Sequence, residues 1–154
     1  MEILDGKDHL EEIKELIYEY SKSLNRDLSF QSLEEELKDL RKKYSGSEGR
    51  SLALLMNGKV VGCVAYHKLS DTLCEMKRLY VKPEARGVKA GELLVEKIIS
   101  VARENGFAEM VLDTIRPLKA AIHLYKKFGF VECEAYYNNP MPDVIYMKKK
   151  LLRG

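Results

Sequence analysis

Two stretches of this 154-residue chain carry residue types that could do chemistry. The first is Arg86-Gly87-Val88-Lys89-Ala90-Gly91, which follows the apolar Leu79-Tyr80-Val81 and then Lys82-Pro83. The pattern predicts a strand, a tight turn and the start of a helix. Backbone N–H groups at a helix N-terminus converge and carry partial positive charge, which suits phosphate oxygens. Gly87 and Gly91 remove side chains where an anion would approach, and Arg86 adds a full charge with a forked set of donors. A plain tight connection reads the same residues equally well. The second stretch is Ala121-Ile122-His123-Leu124-Tyr125-Lys126-Lys127-Phe128-Gly129-Phe130. Tyr125 lies one helical turn beyond Ala121 and Ile122. It is either a core tyrosine on an apolar stripe or a hydroxyl that gives its proton to a leaving group. Cys63, Cys74 and Cys133 are an odd set without C-x-x-C spacing, so neither a disulfide framework nor a zinc site is expected. They read as reduced, buried thiols of a cytoplasmic protein. A nucleophilic Cys74 beside Glu75 is the sharper alternative, with no base evident nearby.

Positioning such residues takes a scaffold, and hydrophobic periodicity outlines one. Asp8 followed by Glu11 suggests a capped helix start, and Leu10, Ile13, Ile17, Tyr20 and Leu24 recur at helical spacing. Ser32 followed by Glu35 suggests a second start, with Leu33, Leu37, Leu40 and Tyr44 as its stripe and Gly46 near its end. Residues 51–56 are apolar, Asn57-Gly58 is a strong hairpin signal, and 60–67 are rich in β-branched residues. Residues 72–81 alternate, which places Cys74, Met76, Arg78 and Tyr80 on one face. Three antiparallel strands in a row are therefore expected. After Pro83 the period becomes helical, through Leu94, Val95, Ile98, Ile99, Val101 and Ala102, and Asn105-Gly106 closes that helix. Residues 110–114 form a short apolar strand, paired in parallel through a right-handed crossover. Pro117 is placed at the first position of the next helix, which Gly129 ends. Strands at about 130–137 and 144–149 flank the turn-rich 138–143. The result is a single α/β or α+β domain built on a mixed sheet.

In this order, the two stretches resemble the GNAT superfamily of N-acetyltransferases. That family has a pyrophosphate loop of pattern Arg/Gln-x-x-Gly-x-Gly/Ala after its fourth strand, matched here by residues 86–91. Its later Ala-x-x-x-Tyr-x-x-x-Gly-Phe helix is matched by Ala121, Tyr125, Gly129 and Phe130. The phrase Glu75-Met76-Lys77-Arg78-Leu79-Tyr80-Val81-Lys82-Pro83 is similar to the family's fourth strand. The resemblance implies a mostly antiparallel twisted sheet of six to seven strands. It is splayed between strands four and five and flanked by about four helices. Two positions depart from the pattern. Lys89 stands where glycine is usual, and its ammonium is expected to neutralise the pyrophosphate from the first turn of the helix. Leu118 replaces an asparagine that contacts the cofactor, with Arg116 or Lys119 as substitutes.

What the resemblance implies for mechanism is specific. Acetyl-CoA, a co-substrate, would lie in the notch between the splayed strands, with a β-bulge near Leu79 opening it. The backbone of Leu79, Tyr80 and Val81 would pair with the pantetheine arm. Arg86, Gly87, Val88, Lys89, Ala90, Gly91 and Glu92 would hold the pyrophosphate. The Leu79 N–H would stabilise the oxyanion of the tetrahedral intermediate. Tyr125 would be the general acid. Glu75 matches the position of a catalytic glutamate, provided burial raises its pKa or a water relays the proton; an ion pair on the sheet is the alternative. His9, His67 and His123 read as surface or packing residues, and His67 is the one to test. Tyr136, Tyr137, Asn138 and Asn139 would help select the amine, a small molecule or a peptide.

Bulk composition narrows the field further. Hydrophobic residues make up 45% and charged residues 32%, an ordinary globular mix, and the net charge of +2 does not argue for nucleic acid. The start of the chain lacks a signal-peptide layout, and no apolar run reaches membrane-spanning length. No metal is expected, and the resemblance is compatible with a homodimer. Dinucleotide binding is disfavoured because G-x-G-x-x-G is missing. A non-catalytic acyl-CoA-binding regulatory module stays open, kept so by Lys89 and Leu118.

Overall fold

The computed structural model describes residues 1–26, 33–87 and 89–152. Among them, seven strands form one sheet: β1 (Glu2–Asp5), β2 (Gly49–Met56), β3 (Lys59–Lys68), β4 (Leu73–Val81), β5 (Glu109–Ile115), β6 (Val131–Cys133) and β7 (Val144–Lys150). Their order is β1-β2-β3-β4-β5-β7-β6. β4 and β5 are parallel and the other neighbours antiparallel. Five helices are described: α1 (Leu10–Leu24), α2 (Leu33–Lys38), α3 (Leu40–Lys43), α4 (Ala90–Glu104) and α5 (Lys119–Lys127). None of them is long and apolar enough to cross a membrane.

The sheet is buried on both sides, and alternation assigns each side its helices. Leu52, Leu54 and Val64 join Leu94, Val95 and Ile98 of α4 in one core. Ala53, Leu55, Cys63 and Ala65 join Ile13, Leu16 and Ile17 of α1 in the other. Strand β4 changes sides partway along. Cys74 and Met76 belong to the α4 core, whereas Tyr80 belongs to the α1 core, and Leu79 and Val81 pack towards α4. The cause is a β-bulge. Ala65 pairs with Lys77 and Cys63 with Tyr80, so β4 spends one residue more than β3. Arg78 takes a left-handed conformation at φ 63°. The expectation that Cys74, Met76 and Tyr80 share a face fails here, because an extra residue inverts the alternation after it.

Other departures are local. β1 was not legible, since its four residues sit at a sheet edge and only Ile3 is even partly buried. Asp8 does not cap α1. It closes a 3₁₀ turn, Gly6–Asp8, in which Asp5 accepts from Lys7 N, and His9 precedes α1 without a side-chain cap. The second expected helix is split at Asp39, whose carboxylate accepts from Lys42 N at 3.2 Å and so caps α3. The capping role given to Ser32 lies outside the described residues. Pro117 precedes rather than opens α5, whose cap position is Leu118. β6 ends at Cys133, which leaves residues 134–143 as a long connection to β7.

Candidate active site

The bulge opens the site. β4 and β5 pair only over Leu73–Glu75 and Glu109–Val111. Beyond that point β5 stays with β7 as far as Ile115 opposite Val144, while β4 stays with β3. The gap is a notch whose walls include Lys77, Leu79, Asp113, Leu118, Tyr125 and Asn139. Among the described residues the backbone of β4 past Glu75 therefore has no strand on its β5 side. At the mouth, a 3₁₀ turn over Pro83–Ala85 leads to Gly87 at φ 89° and on to the N-terminus of α4. Among the described residues the first intrahelical bond there is Leu93 N to Lys89 O at 3.1 Å, and the amides of Ala90, Gly91 and Glu92 have no helical acceptor.

The expected loop residues divide into several groups. Arg86 is folded back: its Nε donates to Val81 O at 2.9 Å and its guanidinium lies 5.5 Å from the Tyr80 ring centre. Lys89 is not in the first turn of α4 but at the cap, with φ 60°, a conformation that favours glycine. A Cβ on Gly91 would lie 3.4 Å from Leu124 of α5, an ordinary contact, so packing against α5 does not by itself require glycine here. The Glu92 carboxylate is bound by Lys127 Nζ at 2.7 Å. The Tyr80 ring is on the α1 side, its hydroxyl donating to Glu19 Oε2 at 2.6 Å. Val88 lies outside the described residues.

Tyr125 is buried between the α4 core and the notch, edge-on to Phe130 at 5.9 Å. Its hydroxyl has no side-chain partner among the described residues, and burial raises its pKa, so it stays protonated. Cys74 is fully buried, and burial pushes its thiol up to about 12. It is a core residue rather than a nucleophile.

Glu75 does not have the raised carboxyl that direct action as a base requires. Burial alone would raise its carboxyl. His67 Nε2 at 2.6 Å, Lys77 Nζ at 3.9 Å and the Tyr136 hydroxyl outweigh burial and hold the carboxyl at about 2. Glu75 is therefore a fixed carboxylate that organises three neighbours. Lys77 is the reverse: burial first, then Arg78, lowers its ammonium to about 8 despite Glu75. Behind them Arg78 is held by Glu36 of α2 at 2.8 and 3.1 Å, and Lys43 meets the same carboxylate at 2.8 Å.

The connection from β6 to β7 folds over this face. Tyr137 donates to Asp113 Oδ2, and Asn139 Nδ2 reaches the same oxygen at 2.7 Å. Tyr146 donates to Tyr137 O at 2.7 Å and accepts from Asn139 N at 3.0 Å. Asn138, singled out from sequence, is exposed, and its neighbour Asn139 is the buried partner. Arg26, just past α1, clasps Asp143 with two bonds of 2.6 and 2.8 Å. Asp113, Lys77 and the Glu36–Arg78 pair were missed from sequence. The legible signal for Asp113 was a lone charge inside the apolar Met110-Val111-Leu112-Asp113-Thr114-Ile115.

This geometry has close counterparts among known proteins. Residues 11–130 match the model of the acetyltransferase (GNAT) family. An uncharacterized N-acetyltransferase of Schizosaccharomyces pombe is 44% identical over 92% of this chain and 88% of its own length. A GNAT-family acetyltransferase structure from Staphylococcus aureus has a TM-score of 0.81, at 23% identity, covering 98% of this chain and 99% of its own. A GNAT acetyltransferase structure from Elizabethkingia anophelis with acetyl-CoA bound has a TM-score of 0.60, at 20% identity, over 73% of this chain and 82% of its own. By family model, relatives and fold alike, the chain belongs to the GNAT family of acetyltransferases, acyl-CoA-dependent enzymes.

Proposed function

We propose that this protein transfers the acetyl group of acetyl-CoA directly to a primary amine of a small molecule or peptide. One observation carries the reading: the bulge at Arg78 leaves a notch with, among the described residues, an unpaired β4 edge on one side and a Tyr125 hydroxyl without a side-chain partner in its wall. The β4 edge would receive the pantetheine arm as an added strand. The amides of the first turn of α4, with Gly87 and Lys89, would hold the pyrophosphate. The acetyl-CoA bound in the Elizabethkingia relative supports that use of the fold.

The acceptor nitrogen attacks the thioester carbon, an N–C bond forms, and the carbonyl oxygen becomes an oxyanion. The Leu79 N–H stabilises that charge, which is worth about 3 kcal/mol for one well-placed donor. As the C–S bond breaks, Tyr125 donates to the departing sulfur. Its raised pKa keeps the proton available at neutral pH but makes full transfer to a thiolate uphill, so the hydroxyl acts while the bond is breaking. The nitrogen's surplus proton leaves to solvent, and Tyr125 takes a proton back from solvent before the next turnover. Tyr136, Tyr137 and Asn139 border the acceptor side. Three unpaired cysteines fit a reducing compartment, and we take the cytoplasm as the working location.

Thermal unfolding with acetyl-CoA, and with NAD as comparison, tests the cofactor. A ligand at one hundred times its Kd stabilises by about 2.7 kcal/mol. For the chemistry, Tyr125→Phe is expected to lower kcat by roughly 100-fold or more at unchanged fold. Full kcat in that variant at saturating substrates would remove Tyr125 from the mechanism. A clear acetyl-CoA shift without thiol release for any amine would favour the acyl-CoA-binding regulatory module instead.

A further inference from the structure

Asp113 is a carboxylate in the notch to which the proposed mechanism gives no role. It lies two residues beyond Val111, the last β5 residue paired with β4. Its neighbour Leu112 points into the α4 core, so Asp113 faces the side of Glu75 and Tyr136. It is half-buried and lines the notch together with Leu79 and Tyr125. After burial and Tyr20, the charge of Asp113 raises the Tyr125 hydroxyl's pKa, so the two share one electrostatic environment.

Its hydrogen bonding is lopsided. Both donors, the Tyr137 hydroxyl and Asn139 Nδ2, fall on Oδ2. Among the described residues no donor reaches Oδ1, and no lysine, arginine or histidine is within ion-pair distance of either oxygen. The cations that share the notch are engaged elsewhere, Lys77 with Glu75 and Arg78 with Glu36. Beside Asp113 stand the rings of Tyr136, Tyr137 and Tyr146, with centres 5.3, 5.4 and 5.9 Å apart. A carboxylate with a fixed orientation, one open oxygen and electron-rich rings alongside is the chemistry that recognises an alkylammonium.

An ammonium held on a carboxylate is stabilised in its charged form. The anchored nitrogen is therefore not the one that attacks, and the acceptor must carry a second basic nitrogen. We propose that Asp113 selects a small diamine, binding one ammonium through Oδ1 while the other nitrogen, deprotonated, attacks the thioester. This rests on the acetyl-transfer reading above. The attacking nitrogen gains the acetyl carbon and loses a proton to solvent, the sulfur leaves with the electron pair of the C–S bond, and the anchored nitrogen keeps its proton throughout.

The test compares 1,4-diaminobutane with butylamine, and 1,5-diaminopentane with pentylamine, by thiol release from acetyl-CoA. The wild type is expected to prefer each diamine by roughly 10- to 100-fold in kcat/KM, the range for a hydrogen bond to a charged group. Asp113→Asn should bring the ratio to about 2, the statistical value for two equivalent nitrogens, and Asp113→Glu should restore part of it. The acetyl-CoA thermal shift should be the same in all three proteins, which also verifies that they fold. A wild-type ratio near 2, or a ratio that survives Asp113→Asn, overturns the proposal. If no amine turns over, calorimetric titration of 1,4-diaminobutane into the acetyl-CoA-loaded protein decides: binding lost in Asp113→Asn supports the anchor, and no binding to wild type refutes it. Absence of an acetyl-CoA shift in the wild type would instead refute the acetyl-transfer reading, and the diamine anchor with it.

Discussion

Replacing Glu36 by glutamine probes how the notch is held open. Glu36 is 6% exposed, and its carboxylate binds Arg78 at the bulge and Lys43 of α3. Burial would raise its carboxyl, yet Arg78 and then Lys43 bring it down from 4.5 to about 2. That difference amounts to about 3 kcal/mol of preference for the ionised form in the folded chain. Glu36→Gln keeps the shape, removes the charge, and leaves Arg78 without its carboxylate. A loss of about 3 kcal/mol at pH 7 is expected, or a fall in Tm of about 6–12 °C for a domain of this size. The sign of the pH dependence follows from a depressed carboxyl. The contribution is complete above the unfolded value of 4.5 and disappears as pH falls towards about 2. Urea unfolding of both proteins from pH 7 to pH 3 is the assay. The gap in stability should be flat down to about pH 5.5, and about 2 of the 3 kcal/mol should be gone at pH 3. A gap below about 1 kcal/mol at pH 7, or one that does not shrink with acid, would refute the reasoning.

Two further substitutions test single residues of the site. Lys77→Met should stabilise the protein by about 1–3 kcal/mol at pH 7, because burial penalises the Lys77 ammonium. A folded value of about 8 against 10.5 means that this gain fades as pH rises from 8 towards 10.5, which denaturant curves at pH 7 and pH 10 would reveal. Lys89→Gly relieves a left-handed residue at the cap of α4 and should leave stability equal or higher by up to about 1 kcal/mol. The same change should weaken acetyl-CoA binding and flatten its salt dependence, and an unchanged Kd in titration calorimetry would mean that Lys89 neutralises no phosphate.

The parts of this enzyme that sequence reveals are those with local causes. Asn57-Gly58 makes its hairpin because Asn57 and Gly58 both adopt positive φ. The stripe through Leu94, Ile98 and Ala102 packs as its spacing requires. The loop at 86–91 and Tyr125 were legible as local patterns, and the fold brings Tyr125 and the β4 edge to one notch. Relations across long separations were not legible. Nothing in Glu36 announces Arg78, which lies 42 residues away, and nothing in Asp113 announces Tyr137 and Asn139. For the same reason the sequence leaves Glu75 between a base and an ion pair on the sheet: its burial could be guessed, but not that His67, Lys77 and Tyr136 would converge on it. The bulge was expected near Leu79, but the inversion of faces that comes with it was not.

That inversion gives β4 a reading frame. Up to Met76 the even-numbered side chains serve the α4 side, and after Arg78 the odd-numbered ones do. A one-residue deletion at the bulge would leave Leu79 and Val81 on the α4 side and Tyr80 on the α1 side, and would turn β4 into a regular strand with Leu79 opposite Val64. It would also let β4 run on beside β5 and close the notch. The residue that looks surplus to the sheet is thus a spacer: its removal should cost the open site, while the packing of the residues on either side of it stays in phase.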